Sequence, residues 1–233
     1  MSSMPARSPR RLGRPPASDS ADTKQRILDV ARYSFGELGW EKTTNKDVAA
    51  KAGITSGALY HYFDSKLDMY WAVYDHVLTT VEDRFLEAIA GSDTFIGQFE
   101  AVLETAHDLN AADPSLARFV ASSRVDIARH DELRGHLGSR SSAGIISRLA
   151  DQAVATGEVH RSRRRELAAF VSTVLAGLTD AMSEDLNAHR VAVDSIRAAL
   201  GGELIRPPRS SRGRAGRPSG SSEVRRRAAV RAS

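Results

Sequence analysis

Apolar side chains recur at helical spacing through most of the chain, with no strand-like alternation of useful length and no internal repeat. A first helix is predicted over about 23–37. Ile27, Leu28, Ala31, Phe35 and Leu38 share one face, and Gly39 supplies a stop. Thr44, followed three residues later by Asp47, has the form of a capping box; it starts a second helix whose apolar face is Val48, Ala49 and Ala52. Gly53 ends that helix, and a third covers about 55–62. Ser65, with Asp68 three residues on, caps a long helix whose apolar side is Leu67, Tyr70, Trp71, Tyr74, Leu78, Val81, Phe85 and Ile89. Beyond Gly91 the pattern predicts five further helices, over about 93–111, 114–129, 131–156, 163–186 and 189–200. The breaks fall at Asp113-Pro114, His130-Asp131, Thr156-Gly157 and Asn187-Ala188, and Gly201-Gly202 closes the last helix. The expected fold class is all-α.

Composition changes the picture at the two ends. Residues 1–22 and the stretch from Pro207 onward are rich in Ser, Pro and Arg and lack apolar periodicity, so both are expected to be disordered. Among 233 residues there are 33 basic and 29 acidic side chains, a net charge of +4. The total conceals a separation. Residues 1–18 carry +4, residues 206–233 carry +8 with nine arginines, and the stretch between them carries −8. All five lysines (24, 42, 46, 51 and 66) lie within 23–67, which has a local charge of +2, against −8 for 68–205. The absence of cysteine excludes a disulfide framework, a thiolate metal site and a cysteine nucleophile. No apolar run reaches the ~18 residues of a membrane span, and the basic N-terminus has no apolar region of a signal peptide behind it, so a cytoplasmic protein is expected.

The segment Thr44–Lys66, TNKDVAAKAGITSGALYHYFDSK, carries the chemistry. Two short helices join at Gly53, where a turn wants positive φ, and Ala49 is small where the helices touch. Ile54, Leu59 and Phe63 anchor the second helix. This is helix-turn-helix logic, in which the second helix enters a DNA major groove. Its outward residues include hydroxyls, rings and small side chains, which suit close approach to phosphates and base edges. Lys66 opens the next helix, where a positive charge adds to the anion-attracting helix N-terminus.

In order and spacing, Thr44, Val48-Ala49, Ala52-Gly53-Ile54, Gly57, Leu59-Tyr60, Tyr62-Phe63 and Ser65-Lys66 resemble the N-terminal module of TetR/AcrR-type transcriptional regulators, over about residues 23–75. The resemblance implies an all-α homodimer that binds double-stranded DNA. It divides the chain into a basic arm (1–22), a three-helix helix-turn-helix domain (23–67), a helical effector-binding and dimerisation domain (68–205) and an Arg-rich tail (206–233). It implies that Thr44 and Lys66 contact phosphates, that Thr55, Ser56, Gly57 and Ala58 face base edges, that Tyr60 reaches the backbone, and that His61 and Tyr62 lie at the groove. The implied function is a ligand-responsive repressor on a palindromic operator, with a small-molecule effector of unknown identity.

Other features complete the expectations. Arg11 and Arg14, in the sequence Arg-Leu-Gly-Arg-Pro, form a candidate minor-groove arm, and an Arg-Ala-Gly-Arg-Pro copy recurs at 214–218. Trp71, Phe99, His107, Phe119, Arg124 and Phe170 are candidate effector-pocket residues. Leu167, Phe170, Val171, Val174, Leu175 and Leu178, continued by Val191, Val193, Ile196, Ala199 and Leu200, make an apolar face wide enough for a partner subunit. No metal cluster, phosphate loop or catalytic arrangement stands out, so neither cofactor nor enzymatic activity is expected. The competing class is a nucleoid-type architectural protein that binds DNA mainly through the Arg-rich tails.

Overall fold

The computed structural model describes residues 17–136, 143–181 and 185–204. Among the described residues ten α-helices follow one another: α1 (Ala17–Lys42), α2 (Asn45–Lys51), α3 (Ser56–Leu59), α4 (Lys66–Ile89), α5 (Phe95–Ala112), α6 (Pro114–Arg129), α7 (Asp131–Arg134), α8 (Ala143–Ala155), α9 (Arg164–Ala181) and α10 (Leu186–Leu200). The expected all-α class holds, and no helix among the described residues is long and apolar enough to cross a membrane.

Helix starts follow local chemistry. The Thr44, Ser65 and Thr94 side chains accept the backbone N–H of Asp47, Asp68 and Gly97, and Asp113 accepts that of Ser115 with Pro114 at the first helical position.

Several boundaries differ from the sequence reading. The first helix begins at Ala17 and takes in 17–22, so only residues 1–16 of the expected disordered arm, Arg11 and Arg14 among them, lie outside the described residues. The stop expected at Gly39 holds, since its backbone angles (φ 75, ψ 176) are not helical; beyond this kink a short further helical stretch runs to Lys42. The kink leaves Leu38 45% exposed and turns Trp40, 6% exposed, into the core in its place. The third helix has a single turn, Ser56–Leu59, with Tyr60, His61 and Tyr62 in the turn that follows. The segment expected as one helix over 131–156 is two, α7 and α8. The break expected at Asn187-Ala188 lies inside α10, which starts earlier because Asp185 accepts the N–H of Asn187. The Arg-rich tail, with the element at 214–218, lies outside the described residues.

Two apolar cores result. The first joins α1, α2, α3 and the start of α4 to α6 and α7 around Phe35, Trp40, Tyr70 and Phe119. It runs across the expected boundary at 67, because α6 lies along α1. There Arg32 bonds Asp113 (2.7 Å) and Ser115 (2.9 Å), and Ser122 donates to the Phe35 carbonyl (3.1 Å). The second core surrounds Phe99, Leu103, Leu149, Val171 and Val193, from α5, α8, α9 and α10.

Candidate nucleic-acid interface

The α2–α3 unit is built from short-range contacts. Val48, Ala49, Ala52, Leu59 and Phe63 are buried and form its seam. Gly53 turns at φ 70, and the Ile54 N–H donates to the Ala49 carbonyl (3.0 Å) to close the loop. Arg26 of α1 donates to the Ala52 carbonyl (3.0 Å), which fixes the unit against the first helix.

This packing leaves one face open. Thr44, Thr55, Ser56, Gly57, Tyr60 and His61 are exposed, Tyr60 by 51%, while Ala58 and Tyr62 are half-buried. The Thr55 hydroxyl accepts the Ala58 N–H (3.1 Å), so one hydroxyl of the face also caps α3. Thr44 both caps α2 and donates to the Asp47 carboxylate (2.6 Å). Asn45, which the sequence reading did not single out, donates from its amide to the Tyr60 hydroxyl oxygen (3.3 Å). Of the residues named for DNA contact within 44–62, all but Thr44, which caps α2, therefore lie on or beside the short helix α3.

Lys66 has a more involved setting. Its ammonium lies over the Trp40 ring, 4.3 Å from the centroid, and reaches the Glu41 carbonyl (3.5 Å). Burial lowers its pKa, opposed by the Glu132, Asp126 and Glu41 charges. Trp40 itself is held twice from the other core partners: its backbone N–H donates to Asp126 (2.9 Å) and its indole N–H to Glu132 (2.7 Å). Asp126 is a buried carboxylate whose pKa burial raises, with the Trp40 N–H, His130, Ser122 and Arg129 acting against the shift.

The six effector-pocket candidates do not line one cavity. Trp71 and Phe119 pack in the first core, each against Tyr70, with ring centroids 5.8 and 5.7 Å from it. Phe99 is fully buried in the second core. Phe170 is 43% exposed, its ring 6.2 Å from that of Phe99, beside an open groove of about 400 Å³ lined also by Glu158, His160, Arg163 and Leu167. Arg124 pairs with Asp180 and donates to the Ala176 carbonyl (3.3 Å), so its charge is spent joining α6 to α9. His107 shares a 2.8 Å hydrogen bond between Nδ1 atoms with the buried His189 of α10, a partner the sequence reading did not select because it lies 82 residues away. Helical spacing grouped these residues with the apolar stretches of their helices; it carried no information on which core, if any, each would join.

On α9 and α10, Val171, Leu178 and Val193 are buried, whereas Phe170 and Val191 (64% exposed) face outward. Among the described residues there is no group of three or more His, Asp or Glu side chains arranged to hold a metal ion.

Comparison with known proteins bears on this geometry. Residues 27–73 match the family model for bacterial regulatory proteins of the tetR family. The HTH-type transcriptional repressor KstR2 of Rhodococcus jostii is 35% identical over 97 residues, 40% of this chain and 48% of that protein, so the match spans about half of this relative. A putative TetR-family transcriptional regulator from a Rhodococcus species has the same fold, with a TM-score of 0.63 at 20% identity over 79% of this chain and 100% of that one. FadR from Bacillus subtilis, solved in complex with stearoyl-CoA, superposes with a TM-score of 0.58 at 17% identity over 78% of this chain and 99% of its own. With the helix-turn-helix geometry in place over residues 27–73, this segment of the chain is similar to the tetR family of bacterial regulatory proteins, and the chain shares its fold with TetR-family structures.

Proposed function

We propose that the protein is a DNA-binding transcriptional regulator, a cytoplasmic repressor that acts as a homodimer on a palindromic operator. The observation that carries this reading is the open face of the α2–α3 unit. There Ser56 and Gly57 leave room for close backbone approach, and Thr55, Tyr60 and His61 offer polar groups beside them. In this reading residues 23–67 are the reading head. Thr44 and Lys66 contact phosphates, Thr55, Ser56, Gly57 and Ala58 meet base edges, Tyr60 bonds the backbone, and His61 and Tyr62 sit at the groove. Residues 68–205 form the effector-binding and dimerising body. The outward Phe170 and Val191 of α9 and α10 support a second copy as the partner there, related by a two-fold axis that would set two heads on successive major grooves. That a protein of this fold holds stearoyl-CoA supports a small-molecule effector for the body. In this reading Arg11 and Arg14, in the basic stretch that precedes α1 in the sequence, contact the minor groove.

The charge of the tails, +4 over 1–18 and +8 over 206–233, supports a second reading as an architectural DNA-binding protein. Genome-wide mapping of sites bound by the full chain, and by a chain lacking 1–18 and 206–233, separates the two. A regulator occupies a few discrete palindromic sites and keeps them without its tails. Broad occupancy that vanishes with the tails would overturn the proposal.

A further inference from the structure

Asn45 is the first residue of α2, and its side chain meets Tyr60 across the turn, fifteen residues along the chain. Its amide nitrogen lies 3.3 Å from the phenol oxygen, while its Oδ1 is shut off from solvent and has no hydrogen-bond partner. The orientation of the amide follows from chemistry. Turning it over would bury the NH₂ group in the closed position and leave two donors unsatisfied in place of one carbonyl oxygen, the costlier arrangement. Asn45 therefore donates to Tyr60. A phenol that accepts through its oxygen keeps its own O–H proton to give elsewhere. Tyr60 is 51% exposed on the face that carries Thr55, Ser56 and His61, so that proton is available to an acceptor approaching from outside. A phosphodiester oxygen is such an acceptor, and it cannot donate in return.

We propose that Asn45 is a positioning residue that holds the Tyr60 phenol as an outward hydrogen-bond donor to a DNA backbone phosphate. The proposal rests on the DNA-binding reading above, and it concerns a residue that makes no DNA contact in that reading. It explains why a polar side chain with an unsatisfied oxygen is kept in a half-buried position at the start of α2.

A double-mutant cycle on the full chain tests it. The probe is a fluorescein-labelled 30-base-pair duplex of mixed sequence, titrated at low salt and read by anisotropy; phosphate contacts are felt on any sequence. Tyr60→Phe is expected to weaken binding about tenfold or more, the range of a hydrogen bond to a charged acceptor, and Asn45→Ala about three- to tenfold, the range of one neutral hydrogen bond. The double variant is expected to bind no worse than Tyr60→Phe alone, since without the hydroxyl Asn45 has nothing to orient. The salt dependence stays that of the wild type, because a hydroxyl displaces no counterion. Asn45→Ser, which keeps a polar group at the start of the helix, repeats the cycle should the alanine variant fail to fold. Losses that multiply, or an Asn45 effect that persists without the Tyr60 hydroxyl, would overturn the proposal. A wild-type chain that binds no duplex at all would instead overturn the DNA-binding reading beneath it.

Discussion

Two glycines with positive φ, Gly39 in the kink of α1 and Gly53 in the α2–α3 turn, look interchangeable in the sequence, yet substitution should separate them sharply. Gly53 has φ 70, and a Cβ built on it meets no atom within 4 Å. Alanine there costs only the backbone term for an L-residue in the left-handed region, about 1 kcal/mol. Gly39 has φ 75 with ψ 176, a region that is essentially reserved for glycine. Its Cβ would also stand 3.3 Å from Asp126 Oδ1, on the buried carboxylate that holds the Trp40 N–H at 2.9 Å. Strain of about 2–3 kcal/mol, with some loosening of that hydrogen bond, brings Gly39→Ala to about 3 kcal/mol. For a chain of this size each kcal/mol moves Tm by roughly 2–4 °C. Thermal melts followed by circular dichroism should therefore show a fall of about 6–12 °C for Gly39→Ala and about 2–4 °C for Gly53→Ala. Asparagine, which tolerates the left-handed region, should restore most of the loss at 53 and little at 39. Equal losses for the two alanines, or rescue by asparagine at both sites, would refute the reasoning.

Further predictions concern the interface, the body and the histidine pair. Lys66→Ala should weaken binding to all duplexes and lower the slope of log affinity against log salt by about one, measured by anisotropy titration at several salt concentrations. Phe170→Asp places a charge on the outward face of α9 and should give a monomer in sedimentation experiments in which the wild type sediments as a dimer. His189 is buried, and its pKa is lowered first by burial and then by the His107 and Arg190 charges, against the pull of Glu104. Below about 6.5 the unfolded chain then binds more protons than the folded one, so stability falls as pH drops from there through the lowered folded value. The His189→Gln chain should lose this part of the Tm decline between about pH 7 and pH 5, and an unchanged profile would show that the ring does not stay neutral in the folded state.

The head was legible in the sequence because its determinants are local. The Thr44 and Ser65 caps bond N–H groups three residues away, the Gly53 turn closes between Ala49 and Ile54, and the seam residues Val48, Ala52 and Leu59 lie within a dozen positions of one another. A linear motif can state all of that. The helices of the body were legible in number and approximate place, but not in their ends or partners. On α4, periodicity pointed to Leu67, Tyr74, Leu78 and Val81, yet these are only partly buried, and Met69, Val73 and Val77 are completely enclosed. That helix is flanked by α1, α5, α6 and α8, so a far wider arc of its surface is covered than a single apolar stripe would suggest. The short α7 escaped notice for a related reason. Leu133 is its only buried residue, and one apolar position cannot announce a separate helix.

The contacts that tie the head to the body were beyond reach of any local pattern, and they decide how the two can communicate. Trp40 meets Asp126 and Glu132 across 86 and 92 residues, and Arg32 meets Asp113 across 81. Trp40 is held at both its backbone and its indole nitrogen by carboxylates of α6 and α7, while its ring carries the Lys66 ammonium. A displacement of α6 along α1 must either carry Trp40 with it or break hydrogen bonds to charged acceptors, each worth about 1.5–3 kcal/mol. The Asp126 carboxylate cannot be released cheaply, since a buried charge left without its donor bears its full desolvation cost. On these energies a displacement of α6 would move the ring beneath Lys66 more readily than it would slip along α1. Under the proposed function, an effector bound in the body would bias the head only by its differential affinity for two such arrangements, and they would differ first at the Trp40 ring and the lysine resting on it.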